Sequence, residues 1–343
     1  MSHWQQREGG GVVAIWLIRT VALGFGRRVA RLLLYPIALY FFLRRADERA
    51  ASRAYLTRVL GRPVRSRDVF HHIHLFAGTL LDRLFFLARG ERDFQVETEG
   101  LQHLDRWIDV GRGVLLIGSH QGSFEALRAL GARRPDVPLR VVLDKQKTPA
   151  LTTVLEALAP DVGAAVIDAS RGGASVALAM AEGAAQGAMV ALLADRGHRD
   201  EATRRVPFLG TPAPFPVGPW LLAAALKIPV VLCMGIYLGG NRYRLIFEPF
   251  SDGIAVPRAQ RAAALDDIIE HYVRRVEHYA RTYPFNWFNF YDFWQEADAA
   301  AGASVAHASD DAAPVAHTPV ADEAVPVAHA PAASGHSVTE PLR

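Results

Sequence analysis

Between residues 96 and 250, short apolar runs alternate with stretches of helical periodicity, and this alternation restricts the fold more than any other feature of the chain. Residues 114–117, 140–143, 164–167, 189–193 and 229–232 each read as a strand buried on both faces. Residues 124–130, 150–158, 174–186 and 218–226 read as the helices between them. The pattern predicts an α/β fold, a layered sheet flanked by helices. Residues 243–247 are expected to add an edge strand, and residues 258–283 a last helix that stops before Pro284.

The two ends differ in kind from this middle. Residues 11–43 are apolar, yet Arg19, Arg27, Arg28 and Arg31 interrupt them, and the charge-free run 32–43 contains Pro36. A spanning helix needs about 20 apolar residues. The segment is therefore expected to lie in a membrane interface, with its arginines among headgroups and its Trp, Tyr, Phe and Leu below. Residues 1–67 carry thirteen arginines against three acids, although the whole chain is only +3, which suits an anionic membrane surface. Nucleic acid is set aside as a partner, because these arginines are interleaved with a long apolar run rather than with stacking aromatics. Residues 46–90 read as helical. Residues 297–343 contain no aromatic side chain, and PVAH recurs at 314–317 and 326–329. Such a segment buries too little apolar surface to offset its ordering entropy and reads as a disordered tail. The expected division is a basic, membrane-associating helical segment over 1–45, an α/β domain over 46–295 and the tail over 296–343.

Some residue types carry less than they suggest. The single cysteine, Cys233, excludes an intrachain disulfide and reads as a small buried hydrophobe. His71, His72 and His74 match no zinc-ligand spacing and read as core or solvated residues, so no metal is expected.

The stretch GSHQGSFEAL, residues 118–127, is different. It places His120 in the turn at the carboxyl end of a buried strand, the edge where open α/β sheets bind ligands. Ser123 is a candidate N-cap, and Glu125 falls in the first helical turn, where the helix dipole favours its ionised form. On a continuous helix five residues would splay these side chains apart. With His120 in a loop, the imidazole can fold back so that Glu125 accepts from one ring nitrogen and leaves the other as a general base. The alternatives are a histidine that only bonds backbone beside a glutamate that only complements the helix, or Ser123 as a nucleophile. The last lacks the G-x-S-x-G elbow that exposes a serine.

SHQGSFE resembles the H-x-x-x-x-[DE] motif of the glycerolipid and lysophospholipid acyltransferases. The wider layout is similar to the branch typified by the lipid A late acyltransferases. Arg171 lies in the strand–helix loop IDASRGG, Asp195-Arg196 end ALLADRG, Phe208 to Pro212 form the FLGTP segment, and Ile228-Pro229-Val230-Val231 follow. The similarity covers roughly residues 10–295. Two features depart from it. Arg196 stands where glutamine is common, and the end FNWFNFYDFWQE is aromatic and acidic rather than basic, which looks more like the acyltransferases of aryl-polyene and related pigment-lipid pathways.

The resemblance implies O-acyl transfer from a thioester to a hydroxyl of a lipid or glycolipid acceptor, on the cytoplasmic face of a bacterial inner membrane, by a monotopic or single-span enzyme. The donor is acyl carrier protein, which the resemblance favours, or coenzyme A, and no other cofactor is implied. His120 acts as base with Glu125 as its orienter. Arg171 and Lys145 suit contact with an anionic group of a substrate. Asp195 positions either the loop or the histidine, with Arg196 beside it, and Phe208 and Gly210 shape the site by close backbone approach. The competing class is a membrane-associated binding or scaffolding protein that keeps this fold without its activity.

Overall fold

The structure is a computed structural model that describes residues 12–127, 134–146, 148–158, 163–197 and 201–294, so the expected tail lies outside the described residues. Three helices come first: α1 (Val12–Arg44), α2 (Ala46–Leu60) and α3 (Ser66–Arg89). Then follow β1 (Gln95–Glu99), α4 (Gln102–Ile108), β2 (Val114–Gly118), a 3-10 turn at Phe124–Leu127, β3 (Leu139–Leu143), α5 (Pro149–Leu158), β4 (Val166–Asp168), α6 (Gly173–Ala185) and β5 (Met189–Leu193). A hairpin of β6 (Thr203–Phe208) and β7 (Thr211–Pro216) leads to α7 (Gly218–Leu226), β8 (Val230–Gly239), β9 (Arg242–Ser251) and α8 (Arg261–Thr282).

Seven strands form one sheet in the order β1-β9-β8-β2-β5-β3-β4. Neighbours are parallel except for the antiparallel pair β8 and β9. The apolar runs of β2 and β5 are continuous because each face meets its own core. Leu115, Ile117, Val190 and Leu192 pack on one side with α6, α7 and α8, whereas Val114, Leu116, Met189 and Ala191 pack on the other with α3 and α4.

Two expectations about the sheet change. The strand read at 243–247 is not an edge: β9 lies between β8 and β1. The true edge, β1, has the sequence QVETE and is half-buried at best, so no apolar run announces it. The strand read at 164–167 begins later, at Val166.

The N-terminal segment departs from the reading only in where two of its arginines point. No described helix is long and apolar enough to cross a membrane. Helix α1 bends at Gly26, where φ is +80°. Arg27 and Arg31 do not point outward with the apolar stripe. They turn into the protein, where Arg27 makes a bidentate pair with buried Asp82 at 2.7 Å and Arg31 meets the same carboxylate at 3.2 Å. Tyr243 donates to Asp82 at 2.8 Å and Arg31 to Tyr237 at 2.6 Å. The outward face instead carries Phe25, Leu32, Tyr35, Tyr40 and Leu43, all exposed, together with Arg28.

Candidate active site

The parallel register of β2 and β5 builds the site. Gly118, the last residue of β2, pairs with Leu193, the last residue of β5. His120 and Asp195 each lie two residues further on, so both emerge side by side at the carboxyl edge of the sheet. His120 Nδ1 lies 2.8 Å from Asp195 Oδ1, and the His120 backbone N–H donates to Asp195 Oδ2 at 3.1 Å. Asp195 is fully buried, whereas the His120 side chain is 39 % exposed. Nε2 of His120 makes no hydrogen bond to a described residue.

The loop that carries His120 is fixed from several directions. Tyr272 of α8 donates to the Gly118 carbonyl at 2.7 Å, and the Gln121 side chain donates to the Val276 carbonyl at 2.9 Å. Gly122 has φ of +66°, and a Cβ there would sit 2.0 Å from the Gly235 carbonyl oxygen, so the chain passes β8 at a distance that only glycine permits. The next amide, Ser123 N–H, bonds that same carbonyl at 2.7 Å.

Residues 284–294 close over this loop. Phe288 N–H donates to the His120 carbonyl at 3.1 Å, Asn286 accepts from Gly122 N–H at 2.8 Å, and the Trp287 indole donates to Asp195 Oδ2 at 3.0 Å. Trp287 is itself held by His72, whose Nε2 lies 3.1 Å from the Trp287 carbonyl and whose Nδ1 bonds Ser52 at 2.8 Å. Burial pushes the His72 imidazole down to about 3, which keeps it a neutral part of the core. Neither Trp287 nor the inward side of this aromatic segment was a candidate from sequence. The sequence reading takes this aromatic run only as a departure from the lipid A branch, and the tryptophan within it is the signal that could have been used. Trp287→Phe keeps the ring packing against Tyr55 and Phe208 but removes the donor to Asp195. A fall in kcat of roughly tenfold, measured on protein with unchanged circular dichroism, is expected from the loss of one hydrogen bond to a charged group.

Electrostatics suit a neutral imidazole beside an ionised carboxylate. Desolvation is the largest effect on His120 and lowers its pKa, Arg196 acts in the same direction, and Asp195 opposes both. For Asp195, burial pushes the carboxyl up, but His120, Arg196 and the Trp287 N–H outweigh it and hold the group below the usual carboxylate range.

The other expected residues are placed as follows. Glu125 does not supply the bond to His120 Nδ1; Asp195 does. The Glu125 carboxylate is taken up by Arg83 of α3, with Nε to Oε1 at 2.6 Å, and by the Ser123 hydroxyl at 3.2 Å. The physical reason is the short 3-10 turn, which faces Glu125 to α3, while the sheet register delivers Asp195 to the histidine. Arg196 is mostly buried: its guanidinium lies 3.9 Å from Asp195 and 5.4 Å from the Tyr291 ring centre, and it donates to the Phe288 carbonyl. Lys145 follows β3, and its backbone N–H donates to Asp168 at 3.3 Å. Arg171 follows β4 and is exposed. Both stand on the same sheet edge as His120, two and three strands away from β2, or about 10 and 14 Å at ~4.8 Å per strand.

Phe208 is fully buried against Phe215, Trp287 and Trp294, and so stands behind the residue that holds Asp195. Gly210 makes no close approach, because a Cβ there would meet nothing within 4 Å. With Leu209 at φ +51° and Gly210 at +84°, it forms the two-residue turn that joins β6 to β7. Among the described residues no three potential metal ligands converge.

Comparison with curated proteins gives no match. The family model described as bacterial lipid A biosynthesis acyltransferase matches residues 11–280, a stretch that contains the His120 loop, Asp195, the hairpin and most of α8. The chain belongs to the bacterial lipid A biosynthesis acyltransferase family.

Proposed function

We propose that this protein transfers a fatty acyl group from an acyl thioester, carried by acyl carrier protein or coenzyme A, to a hydroxyl of a lipid or glycolipid at the cytoplasmic face of a bacterial inner membrane. The observation that carries the reading is the 2.8 Å contact of His120 Nδ1 with the buried Asp195 carboxylate. A carboxylate only accepts, so Nδ1 bears the proton and Nε2 is the base. Nε2 takes the hydroxyl proton as the acceptor oxygen forms its bond to the thioester carbonyl carbon. The tetrahedral intermediate then expels the thiolate, which receives that proton from the imidazolium. Asp195 steadies the cation between the two steps.

No acyl-enzyme is needed, and Ser123 is unsuited to form one because its hydroxyl is directed to Glu125. The amides of Phe124 and Glu125, which open the 3-10 turn, are the donors nearest in sequence for the oxyanion. Arg171 and Lys145, on the same edge, suit anionic parts of the substrates. The exposed Phe25, Leu32, Tyr35, Tyr40 and Leu43 of α1 suit contact with the membrane interface without crossing it.

His120→Ala tests the reading. In an assay of purified protein with acyl thioester and lipid acceptor, kcat is expected to fall on the order of 10²–10⁴-fold. Undiminished turnover would exclude His120 as the base. The pH profile carries a second expectation. The base works only when deprotonated, and its pKa is lowered, so activity should fall on acidification through a limb below the ordinary histidine value of about 6.5.

A further inference from the structure

Phe288 binds two loops at once. Its N–H donates to the His120 carbonyl at 3.1 Å, and its own carbonyl accepts from the Arg196 guanidinium. Trp287, one residue earlier, forms an antiparallel bridge with Gln121 and donates to Asp195. The result is a closed circuit: His120 to Asp195, Asp195 to its neighbour Arg196, Arg196 to Phe288, and Phe288 back to His120. Arg196 takes no part in the proposed proton transfer, yet it is built into this circuit. Its side chain is 12 % exposed, and its Nε is buried without a hydrogen bond, 3.9 Å from Asp195 Oδ2. The guanidinium also lies against the Tyr291 ring. Taking such a cation out of water is costly unless an anion compensates it, and Asp195 does so. The two places where the sequence departs from the pattern it resembles, Arg196 and the aromatic run after Pro284, thus meet in the structure.

We propose that Arg196 is a positioning residue for the acyl transfer: it grips the Phe288 carbonyl, so that residues 284–294 stay clamped on the His120 loop, and it sets its cation against the Asp195–His120 pair. The proposal rests on His120 as the base, and it takes Arg196 out of the substrate-binding set. Without the guanidinium, the Phe288 carbonyl loses its donor. The donors that this segment supplies to His120 and Asp195 then lose their fixed place, and a misplacement of about 1 Å costs on the order of 10²-fold in rate. The charged groups facing the imidazole are Asp195 and Arg196 from the loop after β5, and Arg83 of α3, itself paired with Glu125. Tyr272 of α8 and His72 of α3 are held neutral by burial. Arg196 disfavours the imidazolium, so removing it raises the pKa of the base and moves the acid limb of activity to higher pH.

Arg196→Met in the full chain tests both halves. Hydrogen–deuterium exchange over residues 284–294, read by mass spectrometry, should be about tenfold faster or more, with β2 and β5 unchanged. The value of kcat should fall roughly ten- to a hundredfold at little change in either KM, and the acid limb should move up. Arg196→Lys keeps the charge but neither the planar stack nor the fork of donors. It should return the acid limb to its place and recover only part of kcat. A residue that merely stabilised the fold would lower the unfolding midpoint and leave the limb where it was.

Unchanged exchange over 284–294 in Arg196→Met overturns the proposal, whatever the rate does. So does a loss that falls on KM alone, which marks a substrate contact. If the Met variant does not fold, Arg196→Gln decides, since it also removes the charge: an acid limb that stays in place overturns the proposal. His120→Ala, run in parallel, reports on the base itself. Full turnover there sinks the proton-transfer reading, while the exchange rates still decide the clamp.

Discussion

Asp195→Asn is expected to lower kcat on the order of 10³–10⁴-fold with the fold intact. The argument is about which atom the amide must present. Two donors, the His120 backbone N–H and the Trp287 indole, both point at Oδ2 of Asp195. An asparagine must put its carbonyl oxygen there, which leaves its NH₂ facing His120 Nδ1. That nitrogen would then have to accept, and the ring proton would move to Nε2, where the base is needed. The loss is one of tautomer and not of packing, since asparagine is close to the size of aspartate. Acyl transfer by the purified variant, with thermal unfolding as a control, checks it. A rate within tenfold of the unmodified protein would mean that Asp195 does not set the imidazole.

Much of this site was legible in the sequence, but one partner was not assigned. A strand–turn–helix pattern is local, so the position of His120 at a strand end followed from residues 114–120 alone. The neighbour of β2 is not local. The chain passes through β3 and β4 before β5 returns to lie against β2, and strand order of that kind leaves no trace in periodicity. The resemblance singles out Asp195 for either the loop or the histidine; the register of Gly118 with Leu193 is what sets its carboxylate beside both. The hairpin was hidden for another reason. Pro207, Pro212, Pro214 and Pro216 read as loop residues, yet a two-stranded ribbon outside the main sheet tolerates prolines at positions that need no ladder donor. The same limit explains α1. Apolar spacing shows that a face exists, but not that two of the interrupting arginines have a buried carboxylate waiting 51 and 55 residues further along the chain.

That carboxylate gives the largest expected effect on stability. Asp82 is fully buried, and it receives Arg27 through two nitrogens, Arg31 through one and the Tyr243 hydroxyl. The arginine side chains are only 13 % and 20 % exposed. Asp82→Ala takes away the one carboxylate that two guanidinium groups and a buried phenol share, leaving Arg27 the Gly240 carbonyl and Arg31 the Tyr237 hydroxyl, and breaking a buried pair from one side costs about 3–5 kcal/mol. Urea unfolding should therefore show a large shift of midpoint, and limited proteolysis should cut first within α1, whose hold on α3 passes through this carboxylate. Removing a surface partner is the comparison. In Arg106–Asp252 the side chains are 45 % and 72 % exposed, and Arg106→Ala should leave the midpoint where it was. If Asp82→Ala proves equally silent, the packing of Leu34, Leu81 and Phe85 alone holds α1 in place, and the inward arginines contribute nothing to its docking.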